Sequence, residues 1–435
     1  MTRRAVSARV LTSHAAVCLA FAAGLLLPTN ARAQADEAKV APPAGAHEAA
    51  PLPAMSFAFP DLPSDFADKT TLRWKGFILR TDLALIVDYN AFAQDAASLS
   101  QVGEQQNQWE ARAARLMLNG KVGHYVTYLA AAEYKGFETD PETTWQITDL
   151  SITVPLGGPA TKLTVGKTKE TFAYEMVGDA ANLPQQERVL NPFFVTRNVG
   201  AKVTHVFGRL HRMTASAGVF NDWFATGDRL ADIGTDVTAR VTGLLWDQDS
   251  GRRFLHLGVA GRYYGADGNT LRYKGRPESN VTDYYVDTAN LAGDHAWHVG
   301  LEALWNHGPY SVLSEYVHAS VASAASGNPG FWGAYVTGSW VLTGETRAYD
   351  RTVGYARRVQ PAGRWGALEL VARFSHVGLD DGVVRGGTFD KTYVAMNWWA
   401  TRRWKLGAGW GHTWLDRFGT TGVTDSLQLR WQWVY

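Results

Sequence analysis

Residues 426–435 read Ser-Leu-Gln-Leu-Arg-Trp-Gln-Trp-Val-Tyr. Taken two at a time, one face of this stretch carries Leu427, Leu429, Trp431, Trp433 and Tyr435, and the other carries Gln428, Arg430 and Gln432. A period of two places alternate side chains on opposite faces of a strand. The pattern fits a strand of a soluble sheet with its apolar side on the core. It equally fits a strand whose apolar side meets lipid and whose polar side meets water.

The same alternation recurs from Leu72 to the end. Leu83, Leu85, Val87 and Tyr89 alternate with Asp82, Ala84, Ile86 and Asp88, and Leu150, Ile152 and Val154 with Asp149, Ser151 and Thr153. Met213, Ala215, Ala217 and Val219 alternate with Arg212, Thr214, Ser216 and Gly218; Leu368, Leu370, Ala372 and Phe374 with Glu369, Val371, Arg373 and Ser375. Turn signals such as Asn119-Gly120, Gly157-Gly158-Pro159, Asn306-His307-Gly308-Pro309 and Asp380-Asp381-Gly382 separate the runs. About 18 candidate strands result, including short ones at 270–276 and 350–360. The stretch Gln105–Leu118 is read as strand, with Glu110, Arg112 and Ala114 on a wet interior.

Arg430, Arg373, Glu369, Lys405 and Arg212 all fall on the small or polar side of their strands. A packed core resists such charges, whereas a water-filled interior accepts them. The chain contains 17 Trp, 17 Tyr and 18 Phe. Trp404, Trp414, Trp431, Trp433 and Tyr435 stand where an aromatic girdle at a membrane boundary is expected. Backbone groups in hydrocarbon must all be paired, and a sheet achieves this only by closing. The expected fold is all-β, a transmembrane antiparallel barrel spanning residues 71–435.

Ahead of it, Arg3, Arg4 and Arg9, an apolar run from Ala15 to Leu27, and Ala31-Arg32-Ala33 give residues 1–33 the form of a secretory signal cleaved near Ala33. Residues 34–70, rich in Ala and Pro, read as a flexible periplasmic leader. Cys18 is the only cysteine and lies in the signal, which excludes a disulfide framework or thiol chemistry in the mature chain. Of 42 basic and 41 acidic side chains, the signal takes four arginines and no acid; 38 against 41 remain, a net charge of −3. That balance argues against nucleic acid as a partner. No Gly-x-Ser-x-Gly, no His-Glu-x-x-His and no Cys/His metal spacing occurs, so the residues carry no signature of an enzyme, a metal or a cofactor.

Several stretches in order resemble the phosphate-selective porin O and P family. They are Val165-Gly166-Lys167-Thr168-Lys169-Glu170; Glu187-Arg188 followed by Arg197-Asn198-Val199-Gly200; Arg272-Tyr273-Lys274-Gly275-Arg276-Pro277-Glu278-Ser279; Leu342-Thr343-Gly344-Glu345-Thr346-Arg347; residues 365–375; and Met396-Asn397-Trp398-Trp399. The resemblance implies a 16-stranded homotrimeric porin in a Gram-negative outer membrane, two strands fewer than the pattern suggests, passing small anions such as phosphate. It places the family's inward-folding loop at Phe172–Thr196. Around that loop Lys167, Lys169, Arg188 and Arg197 are candidates for the constriction, and Arg272, Lys274, Arg276, Arg347, Arg373 and Arg430 for the wider lumen. Arg272, Lys274 and Arg276 share one face at intervals of two, whereas Glu345 and Glu369 are candidates to neutralise Arg347 and Arg373. A general or sugar/aromatic-acid porin, a barrel enzyme and a structural barrel without transport are the competing functions.

Overall fold

The computed structural model describes residues 70–123, 125–134, 145–221 and 234–435. The signal and nearly all of the leader lie outside the described residues. Among the described residues sixteen strands form one closed sheet: β1 (Phe77–Gln94), β2 (Gln108–Val122), β3 (Val126–Tyr134), β4 (Trp145–Pro155), β5 (Thr161–Lys169), β6 (Arg197–Phe207), β7 (Met213–Asn221), β8 (Asp236–Gln248), β9 (Arg253–Gly265), β10 (His295–His307), β11 (Tyr310–Ala322), β12 (Gly330–Val341), β13 (Ala367–Asp381), β14 (Val384–Trp399), β15 (Trp404–Arg417) and β16 (Thr420–Val434). Each pairs antiparallel with the next, and β16 closes on β1 from Ala84↔Val434 to Gln94↔Thr424. The short strand Thr71–Trp74 folds back on the start of β1.

Sixteen of the 18 candidate strands are barrel staves. The other two, 270–276 and 350–360, belong to small hairpins off the wall: Lys274–Gly275 pairs with Val286–Asp287, and Arg347–Asp350 with Tyr355–Val359. Alternation over a few residues is common to any two-sided ribbon, so it does not distinguish a stave from a hairpin inside the barrel.

The faces of β16 answer the ambiguity of its sequence. Gln428, Arg430 and Gln432 are buried, with Gln432 at 0% exposure, while Leu427 is 45% exposed. Leu301, Val259, Leu370, Phe374, Val394 and Met396 are exposed on other strands, whereas Glu369, Lys391 and Lys405 are buried. Polarity is therefore inverted relative to a soluble protein, and lipid is the solvent that makes this arrangement favourable. At the seam, Arg430 donates to both oxygens of Asp88 at 2.8 and 2.6 Å, directly across the ladder. A charge set on the outer face tests the inversion. Leu301→Arg, midway along β10, is expected to destabilise the barrel by about 2–4 kcal/mol, measured by urea unfolding in lipid vesicles.

One face assignment requires correction. The pairing of β1 with β2 shifts between Ile86 and Asp88. This bulge leaves Glu110 and Arg112 buried but turns Ala113, in place of Ala114, toward the interior.

Both ends of the described barrel chain, at Phe77 and Val434, lie at one end of the barrel. Most connections there are short, as at 308–309 and 400–403, while long ones leave the opposite end at 95–107, 170–196 and 266–294. The exception is 342–366, a long connection at the termini end. Residues 170–196 are largely buried against the inner wall, and 266–294 and 342–366 add individual buried side chains to it. Phe172, Met176, Leu190, Phe193, Tyr285 and Tyr355 form one apolar cluster with inward residues such as Phe254, Val317, Phe331 and Phe389. Part of the interior is thus a dry core, contrary to a uniformly polar lumen. Gly333 on β12 permits this approach, because a Cβ there would lie 2.8 Å from Phe193 and 2.9 Å from Leu190.

Candidate functional site

The segment Leu271–Arg276 works by alternation. Leu271, Tyr273 and Gly275 are buried, with the Tyr273 ring 5.3 Å from Phe331 and 6.1 Å from Phe193 and its hydroxyl 3.0 Å from Nε2 of His298. The intervening Arg272, Lys274 and Arg276 face a cavity of about 340 Å³, which Glu187, Arg188 and Asn191 of the first inward loop and Arg262 of the wall also line. The three cations spaced at intervals of two thus border one cavity, and Arg188 reaches the same cavity from a distant part of the chain.

What each cation does depends on its partners. Arg262 donates to Glu170 at 3.0 Å and to Asp236 at 2.6 Å. Arg272 donates to both oxygens of Asp287 at 2.8 and 2.5 Å, and these bonds hold the Asp287 carboxyl below its usual range. Lys274 and Arg276 join no ion pair among the described residues. Each instead lies 4.2 Å from the centroid of the Tyr284 ring, and Arg276 Nε donates to the Thr282 carbonyl at 2.7 Å. Arg188 donates to the carbonyls of Glu175 and Gly178 at 2.5 and 2.8 Å. A ring face or a carbonyl positions a cation while leaving its formal charge uncompensated.

The remaining sequence candidates are placed differently. Lys169 donates to the carbonyls of Val177 and Gly178 at 3.2 and 2.9 Å and reaches Asp179 at 3.3 Å. Arg197 donates to Asp149 at 2.9 Å. Lys167 is half-buried on β5 opposite Val199 and is not part of the cavity lining. Arg347 pairs with Glu369, while Glu345 bonds Thr343 and the Ala362 amide. Arg373 does not use Glu369; it donates to Glu175 at 2.7 Å and Glu278 at 2.5 Å, one from each of two inward loops. Arg430 pairs with Asp88 and lies 3.3 Å from Glu187, which also binds Arg112. These arginines pin loops to the wall.

Among the aromatic candidates, Trp404 and Trp414 are exposed on the outer face, and Trp431 and Trp433 are half-buried beside Trp404. Tyr435 is buried, stacked 5.8 Å from Trp433 with the Arg403 guanidinium 5.0 Å from its centroid. Sequence reading missed Tyr284, whose only signal is its place in the loop a few residues beyond the ladder. It also missed Arg262, which carries no spacing signal.

A closed barrel, apolar outside and charged inside, narrowed by loops folded into its lumen, defines an outer-membrane porin. The chain belongs to the phosphate-selective porin O and P family, whose model matches residues 84–435. Its fold is similar to that of OmpT, an outer membrane protein of Vibrio cholerae, with a TM-score of 0.51 and 9% identity over 83% of this chain and 99% of that one. It is also similar to an anion-selective porin from Comamonas acidovorans, with a TM-score of 0.50 and 11% identity over 82% of this chain and 99% of that one. A Caulobacter vibrioides protein described as uncharacterized is 30% identical over 158 residues, which are 34% of this chain and 31% of the relative's length. The end with the termini carries mostly short turns and the other end most of the long loops, the asymmetry that outer-membrane barrels have between their periplasmic and outer ends.

Proposed function

We propose that the chain is a passive channel for small oxyanions, admitted through the Arg272, Lys274 and Arg276 ladder. The observation that carries this reading is the pair Lys274 and Arg276, which border the cavity without a carboxylate partner among the described residues while the neighbouring Arg262 and Arg272 are ion-paired. Fixed positive groups in a narrow low-dielectric passage replace part of an anion's hydration and concentrate it locally. Phosphate and carboxylates share the oxygen geometry that arginine favours. Passage along such groups needs neither a cofactor nor a catalytic group.

The family membership supports a homotrimer with one pore per barrel and phosphate among the solutes. The basic and apolar pattern of residues 1–33 supports export through a signal cleaved near Ala33, and N-terminal sequencing of the outer-membrane form checks that site. The functional test is the zero-current potential of purified protein in a planar bilayer under a potassium chloride gradient. Chloride preference is expected, with steps grouped in threes and inhibition of the chloride current by added phosphate. Potassium preference would overturn the reading.

A further inference from the structure

The connection 342–366 ends where it crosses the turn 400–403. Gly366, at a φ of +80°, lies so close to that turn that a Cβ there would come within 2.8 Å of the Ala400 Cα. Arg364, two residues before Gly366, and Arg402, two residues after Ala400, are both exposed. The Arg364 guanidinium lies 4.9 Å from the ring centroid of Trp365, itself 75% exposed, and the Trp365 carbonyl accepts from Trp398 Nε1 at 2.8 Å. Trp398 belongs to the lipid-facing row of β14, with Val394 and Met396. The crossing is thereby fastened to the apolar outer face.

The neighbouring strand ends are aromatic. Trp404 on β15 packs against Trp431 and Trp433 of β16, with ring centroids 5.1 and 6.2 Å away. Trp433 in turn stacks on Tyr435, whose ring centroid is 5.0 Å from the Arg403 guanidinium. Tryptophan at strand ends marks the depth of lipid headgroups. Arg364 and Arg402 join no ion pair among the described residues, whereas Arg253 and Arg351, elsewhere at the same end of the barrel, have Asp249 and Asp247. Glu345 accepts from the Ala362 amide at 3.1 Å and from Thr343, and pairs with neither arginine. Two exposed cations and a row of indoles thus share one edge with no acid committed to them.

We infer that this edge of β13–β16 is a docking site for an anionic phospholipid of the leaflet at the termini end, its phosphate held by Arg364 and Arg402 and its acyl chains laid on Trp398 and Trp404. Charge complementarity selects the lipid. Guanidinium groups match the oxygens of a phosphate, and basic side chains at a membrane surface attract anionic lipid at close range. The ammonium of a zwitterionic headgroup meets no uncommitted carboxylate there, and Trp365 and Tyr435 already carry arginines. The site lies outside the lumen and does not depend on the anion-channel reading.

The test reconstitutes the purified outer-membrane form into vesicles of equimolar phosphatidylglycerol and phosphatidylethanolamine, re-extracts it and counts the retained lipids by native mass spectrometry. Phosphatidylglycerol is expected to be enriched, and Arg364→Gln/Arg402→Gln to lower the enrichment by roughly tenfold. Heat-modifiable mobility checks folding. Should the double variant not fold, Arg364→Gln and Arg402→Gln are read singly, each with an expected loss of roughly threefold. Arg253→Gln, which removes the same charge from another part of that end, is expected to leave the enrichment unchanged. Equal retention of the two lipids by the wild type would leave an aromatic girdle alone and overturn the inference. Undiminished enrichment in the Arg364 and Arg402 variants, or an equal loss in Arg253→Gln, overturns it as well. So does displacement of phosphatidylglycerol by lipopolysaccharide added to the vesicles, which would make the phosphate that of the other leaflet's lipid.

Discussion

Replacing Arg373 with methionine is expected to destabilise the protein by about 3–5 kcal/mol, read as a lower denaturant midpoint and earlier loss of heat-modifiable mobility. The guanidinium is fully buried on β13, donates to Glu175 and Glu278, bonds Thr337 at 2.9 Å and lies 3.8 Å from the centroid of Tyr335. Glu175 belongs to the loop at 170–196 and Glu278 to the loop at 266–294, so one cation ties both to the wall. Without it two carboxylates remain buried together; Lys391, 3.6 Å from Glu278, compensates only part of that charge. Neutralising both acids in the same background, with Glu175→Gln and Glu278→Gln, is expected to recover most of the loss. Breaking one member of a buried charge group costs more than removing the whole group. A loss below about 1 kcal/mol, the range of an exposed pair, would show that the loops are held by other contacts.

The double variant Lys274→Glu/Arg276→Glu is expected to lower the anion-to-cation permeability ratio by roughly tenfold, with a larger effect at low ionic strength. Both residues border the cavity, and their recorded contacts are with the Tyr284 ring and the Thr282 carbonyl. Their loss therefore leaves the ion-paired scaffold intact, and heat-modifiable mobility should match that of the wild type. Arg272→Glu makes the contrast, because it also strands Asp287 and should disturb the hairpin. Wild-type selectivity in the double variant would exclude the ladder from the conduction path.

The sequence carried the staves far more clearly than the charges. Each stave repeats one physical requirement, lipid on one face, so Leu301 or Phe374 is recognisable from its immediate neighbours. The role of an interior arginine has no local signature. Arg276 and Arg373 stand alike beside apolar residues, yet Arg373 meets Glu175, 198 positions away, whereas Arg276 meets a ring within its own loop. Arg272, Lys274 and Arg276 were legible as a group because their spacing of two survives in an extended ribbon. Arg188 joined them only through folding.

By itself, the sequence determined a closed all-β barrel with its apolar side outward, because backbone pairing in hydrocarbon and the two-residue side-chain period are local constraints repeated along the chain. Tertiary structure alone decided which long connections enter the lumen, that part of the interior is dry, and which cations retain uncompensated charge. Those outcomes depend on distances between residues far apart in the chain, and electrostatic compensation acts through space regardless of sequence separation.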